Sequence, residues 1–282
     1  MEEHKTGRWT TGELNILNEL YGKIDIETLV SKLNRSKASI HLKANRSGLK
    51  YQEKYIYNQD YFEHIDNPEK AYWLGFIYAD GCVIYNKERR NYEFTIQLQA
   101  GDIAHLIKLN ESLQGNVVPT KHINKTGFPG RDEIEHEQCR IRYYSSKMVL
   151  DLIDKGVLQS KTYKMNFPTF LNDELLWHFV RGFMDGDGYI CVPKSDSRYG
   201  YRVGFTCYRK CFLEGLQSFL QPYFIKSYIN KDKDSYKLEI RNRNSVYMFL
   251  KECYKNANIY LDRKYSKYLI SNDLLSQLEI AG

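Results

Sequence analysis

The sequence predicts an α+β fold made of two related halves, with a small three-helix unit ahead of them. Three observations carry this. Residues 73–81 read Trp-Leu-Gly-Phe-Ile-Tyr-Ala-Asp-Gly, and residues 180–188 read Val-Arg-Gly-Phe-Met-Asp-Gly-Asp-Gly, a diluted copy. Each copy is followed by period-two stretches interrupted by helical ones, so each half reads helix, two strands, helix, two strands, helix. Residues 8–50 have a different pattern, with short helical segments punctuated by capping residues.

Overlaid, Gly75 matches Gly182, Phe76 matches Phe183, Ala79 matches Gly186, Asp80 matches Asp187 and Gly81 matches Gly188, a constant offset of 107 positions. Each stretch is apolar nearly all round, as a buried helix is. Gly75 and Ala79 lie four apart, as do Gly182 and Gly186, so each pair shares one helix face and lets two backbones approach closely. Gly81 and Gly188 are expected to stop the helices through the left-handed conformation open to glycine. Asp80 and Asp187 then fall at the carboxyl ends of two packed helices. The helix terminus there already carries partial negative charge, and a second carboxylate adds to it. A shared divalent cation would relieve the conflict, and an all-oxygen site suits Mg²⁺, with Mn²⁺ as substitute. A single Asp-Gly is ordinarily a turn signal after a helix; two copies at matching places favour the charged site.

In the amino-terminal unit, Thr10 and Glu13 have capping-box spacing, so a helix starts there with Leu14, Ile16, Leu17 and Leu20 on its apolar face. A second helix is expected over Ile26 to Leu33, with Leu29 and Leu33 inward. Asn34-Arg35-Ser36 forms a turn, and Ser36 caps a third helix to about Arg46, with Ala38, Ile40 and Ala44 facing the bundle. Lys37, Ser39, His41, Lys43, Arg46 and Ser47 face out, and Gly48 ends the helix. A last helix that presents basic and hydroxyl groups resembles a helix-turn-helix or Myb-like DNA-binding module. A small bundle that docks protein is the alternative. Residues 51–68 read as a linker that Tyr61, Phe62 and Ile65 could anchor, and Asn67-Pro68 marks its end.

Phe94, Ile96 and Leu98 alternate with Thr95, Gln97 and Gln99; Cys139, Ile141 and Tyr143 alternate with Gln138, Arg140 and Arg142. In the second half Val203, Phe205 and Cys207 alternate with Arg202, Gly204 and Thr206, and Leu238 and Ile240 with Lys237, Glu239 and Arg241. This is the pattern of antiparallel sheets packed on one face and open on the other. Helical segments fall at about Asp102 to Leu113, Ser146 to Lys155, Lys210 to Leu220 and Ser245 to Tyr254. Arg and Gln on an open face can read guanine and adenine in a major groove, and any half-exposed sheet has a polar face; both readings stand. Lys87, Arg89 and Arg90 at one hairpin tip, and Lys194 and Arg198 at the other, are candidate phosphate contacts.

Composition sets outer bounds. The 282 residues carry 41 Lys plus Arg against 35 Asp plus Glu, a net charge of +6, which permits a polyanion partner. The six cysteines have neither disulfide nor zinc spacing and read as reduced residues of an intracellular protein. The amino terminus has no secretory signal and no stretch suits a membrane span, so a cytoplasmic location is expected. Phosphate loops, His-Glu-x-x-His and nucleophile elbows are absent from the sequence.

The paired Gly-x-x-x-small-Asp-Gly helices resemble the two signature helices of the LAGLIDADG homing endonucleases, in the single-chain form that carries both halves. The motif covers about nine residues twice, and the surrounding pattern runs over most of residues 71–269. Departures are mild: Tyr78 stands where the family often has an acid, while Asp185 keeps one. Trp73, Val180, Leu74 and Arg181 replace the leading residues of the signature. The resemblance implies two pseudo-twofold αββαββα halves, about 69–165 and 172–269, whose antiparallel sheets form a DNA-binding saddle, with a carboxyl-terminal tail beyond. It implies that Asp80 and Asp187, with the carbonyls of Ala79 and Gly186, bind the metals. It also implies that Lys161 and Lys264, after the last helix of each half, polarise the attacking water or the phosphate. Gln99 resembles the residue that orders solvent, and Tyr208 takes its place in the second half.

The sequence therefore predicts a monomeric, site-specific double-strand DNA endonuclease, with DNA contacts from Lys37, Ser39, His41, Lys43, Arg46, Lys87, Arg89, Arg90, Thr95, Gln97, Gln138, Arg140, Arg142, Lys194, Arg198, Arg202, Thr206, Lys237, Glu239 and Arg241. A gene inside an intron or standing free, in a bacterial or phage-infected cell or an organelle, is the expected setting, and the start methionine argues against an intein. An intron RNA maturase and a catalytically silent DNA-binding regulator are the rivals. Intact Asp80 and Asp187 weigh against the regulator, and a helix-turn-helix weighs against a purely RNA role.

Overall fold

The computed structural model of the chain describes residues 4–24, 26–49, 55–126, 134–160, 164–193 and 200–276. The chain divides into two compact units, Met1–Ile56 and Tyr57–Gly282.

The first unit holds α1 (Thr11–Leu20), α2 (Ile26–Leu33) and α3 (Lys37–Arg46). The capping box at Thr10 and Glu13 is complete, and the Ser36 hydroxyl accepts from the Ser39 N–H at the start of α3. Leu17, Tyr21, Leu29, Leu33, Ile40 and Ala44 form the core. Ala38, predicted inward, is exposed, because the bundle closes on Ile40 and Ala44 alone. Arg35 does more than turn the chain. It is buried, pairs with Glu13 at 3.0 Å, donates to the Gly7 and Arg8 carbonyls at 2.9 Å each, and lies 4.6 Å from the Trp9 ring centroid. The Arg35 hydrogen bond first, and the Thr10 N–H after it, hold the Glu13 carboxyl down at about 2.

In the second unit the predicted order appears twice. The first pass is α4 (Pro68–Asp80), β1 (Gly81–Asn86), β2 (Asn91–Gln99), α5 (Ile103–Ser112), β3 (Thr120–Thr126), β4 (Ile134–Tyr143) and α6 (Ser146–Asp154). The second is α7 (Asp173–Gly186), β5 (Gly188–Cys191), β6 (Arg202–Cys207), α8 (Lys210–Leu220), β7 (Tyr228–Asp232), β8 (Ser235–Ile240) and α9 (Arg243–Tyr254). Each set of strands makes an antiparallel four-stranded sheet, in the orders β1-β2-β4-β3 and β5-β6-β8-β7. Asn67 and Asn172 cap α4 and α7 alike, accepting from the N–H groups of Lys70 and Leu175. A further helix, α10 (Asp262–Ser276), has no counterpart among the predicted elements; its mostly polar sequence gives a weak periodic signal. It includes the start of what the sequence predicted as a tail.

The core is continuous between the two passes, and α4 and α7 pack side by side at its centre. Ala71 to Tyr78 are buried in α4, and Leu176 to Asp185 in α7. The stretch before α4 joins the same core, with Phe62 fully buried and Tyr61 nearly so.

A close helix seam and the residues at its end

Small residues allow the two helices to meet backbone to backbone. A Cβ added at Gly75 would lie 1.9 Å from the Phe179 carbonyl oxygen, and one at Gly182 would lie 1.9 Å from that of Tyr72. At the far end, a Cβ on Gly186 would come within 2.2 Å of the Ala79 Cβ and 3.1 Å of Asp80 Oδ2. The seam is therefore closed along its length by the predicted small positions, and the Asp80 carboxylate lies across it against Gly186. Asp80 is the last residue of α4 and half-buried; Asp187 caps α7 and is exposed.

The two glycines that follow differ from expectation. Neither is left-handed: Gly81 has φ −75°, and Gly188 is not among the positive-φ residues. They are required by close approach instead, since a Cβ would meet Ile77 Cγ2 at 2.6 Å or Met184 Sδ at 2.3 Å as the chain turns straight into a strand.

Lys264 lies in the first turn of α10 and is buried. Its Nζ donates to the carbonyls of Met184 at 2.6 Å, Gly186 at 2.9 Å and Gly188 at 2.6 Å. An ammonium has three protons, and all three are used here. This differs from a lysine that reaches out to solvent; it places the ammonium where the carboxyl end of α7 concentrates negative charge. Burial pulls its pKa down to about 8, while the carboxylates of Asp185, Asp80 and Asp187 act against the fall. Lys264 thus feels both repeated aspartates. Lys161, Lys194 and Arg198 lie outside the described residues.

Asp185 is fully buried beside this group. Its carboxylate accepts from the Tyr72 hydroxyl at 2.8 Å, the Tyr254 hydroxyl at 2.9 Å and the Leu261 N–H at 2.8 Å. Burial raises its pKa, and those donors together with Lys264 oppose the rise. Tyr72 also meets His105 Nε2 at 3.0 Å, and burial holds that imidazole down at about 3, hence neutral. Arg181 closes the network through His178 and the carbonyls of Ile259 and Cys253. The sequence offered Asp185 only as a retained acid; its partners come from 69 to 113 positions away and leave no local signal.

The open faces of the sheets gather most of the remaining predicted residues. In the first sheet, register pairs Thr95 with Arg142, Gln97 with Arg140 and Gln99 with Gln138. Gln97 and Gln138 hydrogen-bond to each other, and Arg142 pairs with Glu93 at 3.2 Å. Strand β3 extends these rows with Thr120 beside Arg140 and His122 beside Gln138, positions the sequence reading passed over because the threonine-lysine mixture there lacks apolar alternation. In the second sheet, Thr206 stands beside Lys237, which pairs with Asp232 at 2.6 Å. Glu239, predicted to face a ligand, is buried; Tyr189 donates to it at 2.8 Å across Gly204, and Arg241 pairs with it. A carboxylate so bound is committed within the sheet. Arg202 is half-buried in β6. Lys87, Arg89 and Arg90 are exposed at the β1–β2 tip; Gln99 and Tyr208 are exposed at the strand ends.

On α3, Lys37 and Arg46 are exposed, as is Ser47 just after it, while Ser39 and Lys43 are half-buried; Lys37 pairs with Glu27. His41 is anchored by the Tyr21 hydroxyl at 2.9 Å from Nδ1.

Residues 174–254 match the family model described as the LAGLIDADG-like domain. No curated protein matches this chain. Among solved structures, the chain is similar to the LAGLIDADG meganuclease I-AabMI bound to uncleaved DNA, at 16% identity over 75% of this chain and 92% of that one, with a TM-score of 0.46. It is also similar to the I-SmaMI LAGLIDADG homing endonuclease bound to cleaved DNA, at 16% identity over 77% and 91%, with a TM-score of 0.48. A third likeness is to I-SmaMI bound to an uncleaved DNA target in the presence of calcium ions, at 16% identity over 77% and 92%, with a TM-score of 0.47.

Proposed function

We propose that the protein is a site-specific double-strand DNA endonuclease of the LAGLIDADG kind. One observation carries the reading: the glycine-closed seam ends with Asp80 laid against Gly186, next to Asp187, in a chain whose residues 174–254 match the LAGLIDADG-like domain.

The donors fit a hard divalent cation. Among the described residues no group of three or more His, Cys, Asp or Glu stands ready to hold a metal. Mg²⁺ asks for less: it is held through one or two carboxylates and keeps water and substrate phosphate as its other ligands. The carboxylates of Asp80 and Asp187 and the carbonyls of Ala79 and Gly186 are the oxygens that would hold it. Such an ion supplies charge neutralisation and an activated water when bound. The chain's own part is positioning. Lys264 fixes the Gly186 carbonyl and adds positive charge beside both acids, without a proton left for the water. Thr95, Gln97, Gln138, Arg140 and Arg142 form a row suited to base edges, and Lys87, Arg89 and Arg90 are suited to phosphates. The α3 face of the first unit is suited to a second DNA contact that lengthens the site.

The test is to incubate the protein and Mg²⁺ with a randomised duplex library and sequence the broken ends. A defined site cut on both strands is the expected result. Asp80→Asn combined with Asp187→Asn should abolish cutting and leave binding largely intact. Selective DNA binding with no cutting under Mg²⁺ or Mn²⁺ would instead establish a silent regulator.

A further inference from the structure

We propose that Asp185 is a positioning residue that clamps the start of α10 to the end of α7, and so sets where Lys264 and Asp187 lie. The clamp is a property of the fold; only its effect on cutting rests on the nuclease reading.

The link runs both ways. The Asp185 carboxylate accepts the Leu261 N–H at 2.8 Å. Leu261 is where α10 begins, for its carbonyl accepts the N–H groups of Lys264 at 2.9 Å and Tyr265 at 3.0 Å. One turn on, the Lys264 ammonium returns to α7 and binds the carbonyls of Met184 and Gly186, the residues on either side of Asp185, together with that of Gly188. Each helix end thus receives the charge its dipole favours: a carboxylate at the amino end of α10 and an ammonium at the carboxyl end of α7. The remaining donors to Asp185, Tyr72 on α4 and Tyr254 on α9, hold the carboxylate to both halves.

The first turn of α10 is also tied to the first half. Arg263 pairs with Asp102 at 3.0 Å, and Asp262 with Lys108 at 2.9 Å. A displaced α10 would therefore carry Lys264 away from α7. Asp187, two residues past Asp185, would lose the ammonium that holds the carbonyls around it. At the matching place in the first half stands Tyr78, a neutral donor in place of the carboxylate, whose hydroxyl donates to the Lys155 carbonyl at 2.5 Å. The clamp lies on the Asp187 side of the pair, where the carbonyls of Gly186 and Gly188 that Lys264 holds flank that acid.

Two measurements on the full chain test this. In the first, lysines are acetylated under native conditions and followed by mass spectrometry. In wild type Lys264 should be protected. In Asp185→Asn it should label about tenfold faster, as its local opening becomes easier, while exposed Lys231 is unchanged. Equal protection of Lys264 in a folded Asp185→Asn protein overturns the clamp. If that variant does not fold, Tyr254→Phe removes one donor and keeps the ring; a smaller rise is expected, and none overturns the proposal. In the second, Asp185→Asn on a plasmid bearing the target should accumulate nicked circles, with the same strand left whole as in Asp187→Asn. Equal slowing of both strands overturns the positioning role. A wild type that cuts no DNA counts against the nuclease reading and leaves the labelling result standing.

Discussion

The two halves share a frame and differ in how each treats its aspartate. At the end of α4, Asp80 is half-buried behind Tyr78, a neutral residue that spends its hydroxyl on the end of α6. At the end of α7, Asp187 is exposed behind Asp185, a buried carboxylate that recruits Tyr72, Tyr254 and the start of α10. The sheets differ in the same sense. The first shows an open row of Thr95, Gln97, Arg140 and Arg142; the second folds Tyr189 over Gly204 and ties up Glu239. Duplicated halves in one chain can therefore keep the positions that form the seam while the groups around each acid diverge, because only the seam positions must satisfy both halves at once.

The largest expected effect breaks the feature they share. Gly75→Leu and Gly182→Leu each drive a side chain into a backbone carbonyl that cannot move aside, and should cost about 3 kcal/mol, the upper end for overpacking. Both should lower the melting midpoint of the second unit in calorimetry by similar amounts; a strong effect from only one would mean the seam is not symmetric. Next, Asp80→Asn and Asp187→Asn taken singly should each leave a nicked product, with opposite strands intact, in a strand-labelled cleavage assay. The same strand surviving in both would deny the halves separate acids.

Smaller effects probe the sheets. Arg140→Ala should weaken target binding by about 1–3 kcal/mol and relax preference at one base pair, measured by titration against sequence variants. Glu239→Gln should leave affinity nearly unchanged, since its carboxylate is already occupied. Tyr78→Phe should cost about 1–3 kcal/mol in denaturant melts, from the Lys155 carbonyl left without its donor, and should produce no strand bias.

The first unit has a pH response of its own. Glu13, at about 2 in the fold against an ordinary 4.5, stabilises its unit above pH 4.5, and that contribution fades as pH falls toward 2. The Trp9 indole, followed by NMR, should report that loss, and Arg35→Gln should reduce the pH dependence between those values, leaving the part that the Thr10 N–H supplies.

Much of the frame was legible because local chemistry wrote it. Thr10, Ser36 and Asn67 announce helix starts through neighbours three residues away, and the alternation in β2, β4, β6 and β8 follows from one face being packed. The repeated Gly-x-x-x-small pattern determined the seam, since only missing side chains admit backbone contact. Strand β3, predicted in the order but not placed on its residues, and helix α10, not predicted at all, have little apolar periodicity. The sequence by itself thus determined the duplicated plan, the small-residue faces and the paired acids. Tertiary structure alone decided that Arg35 is a buried tie, that Glu239 turns to Tyr189 and Arg241, and that Lys264 spends its protons on α7. Those outcomes depend on which distant groups meet once the core closes: a charged side chain is placed by the partners that offset its burial, and nothing in its own neighbourhood along the chain names them.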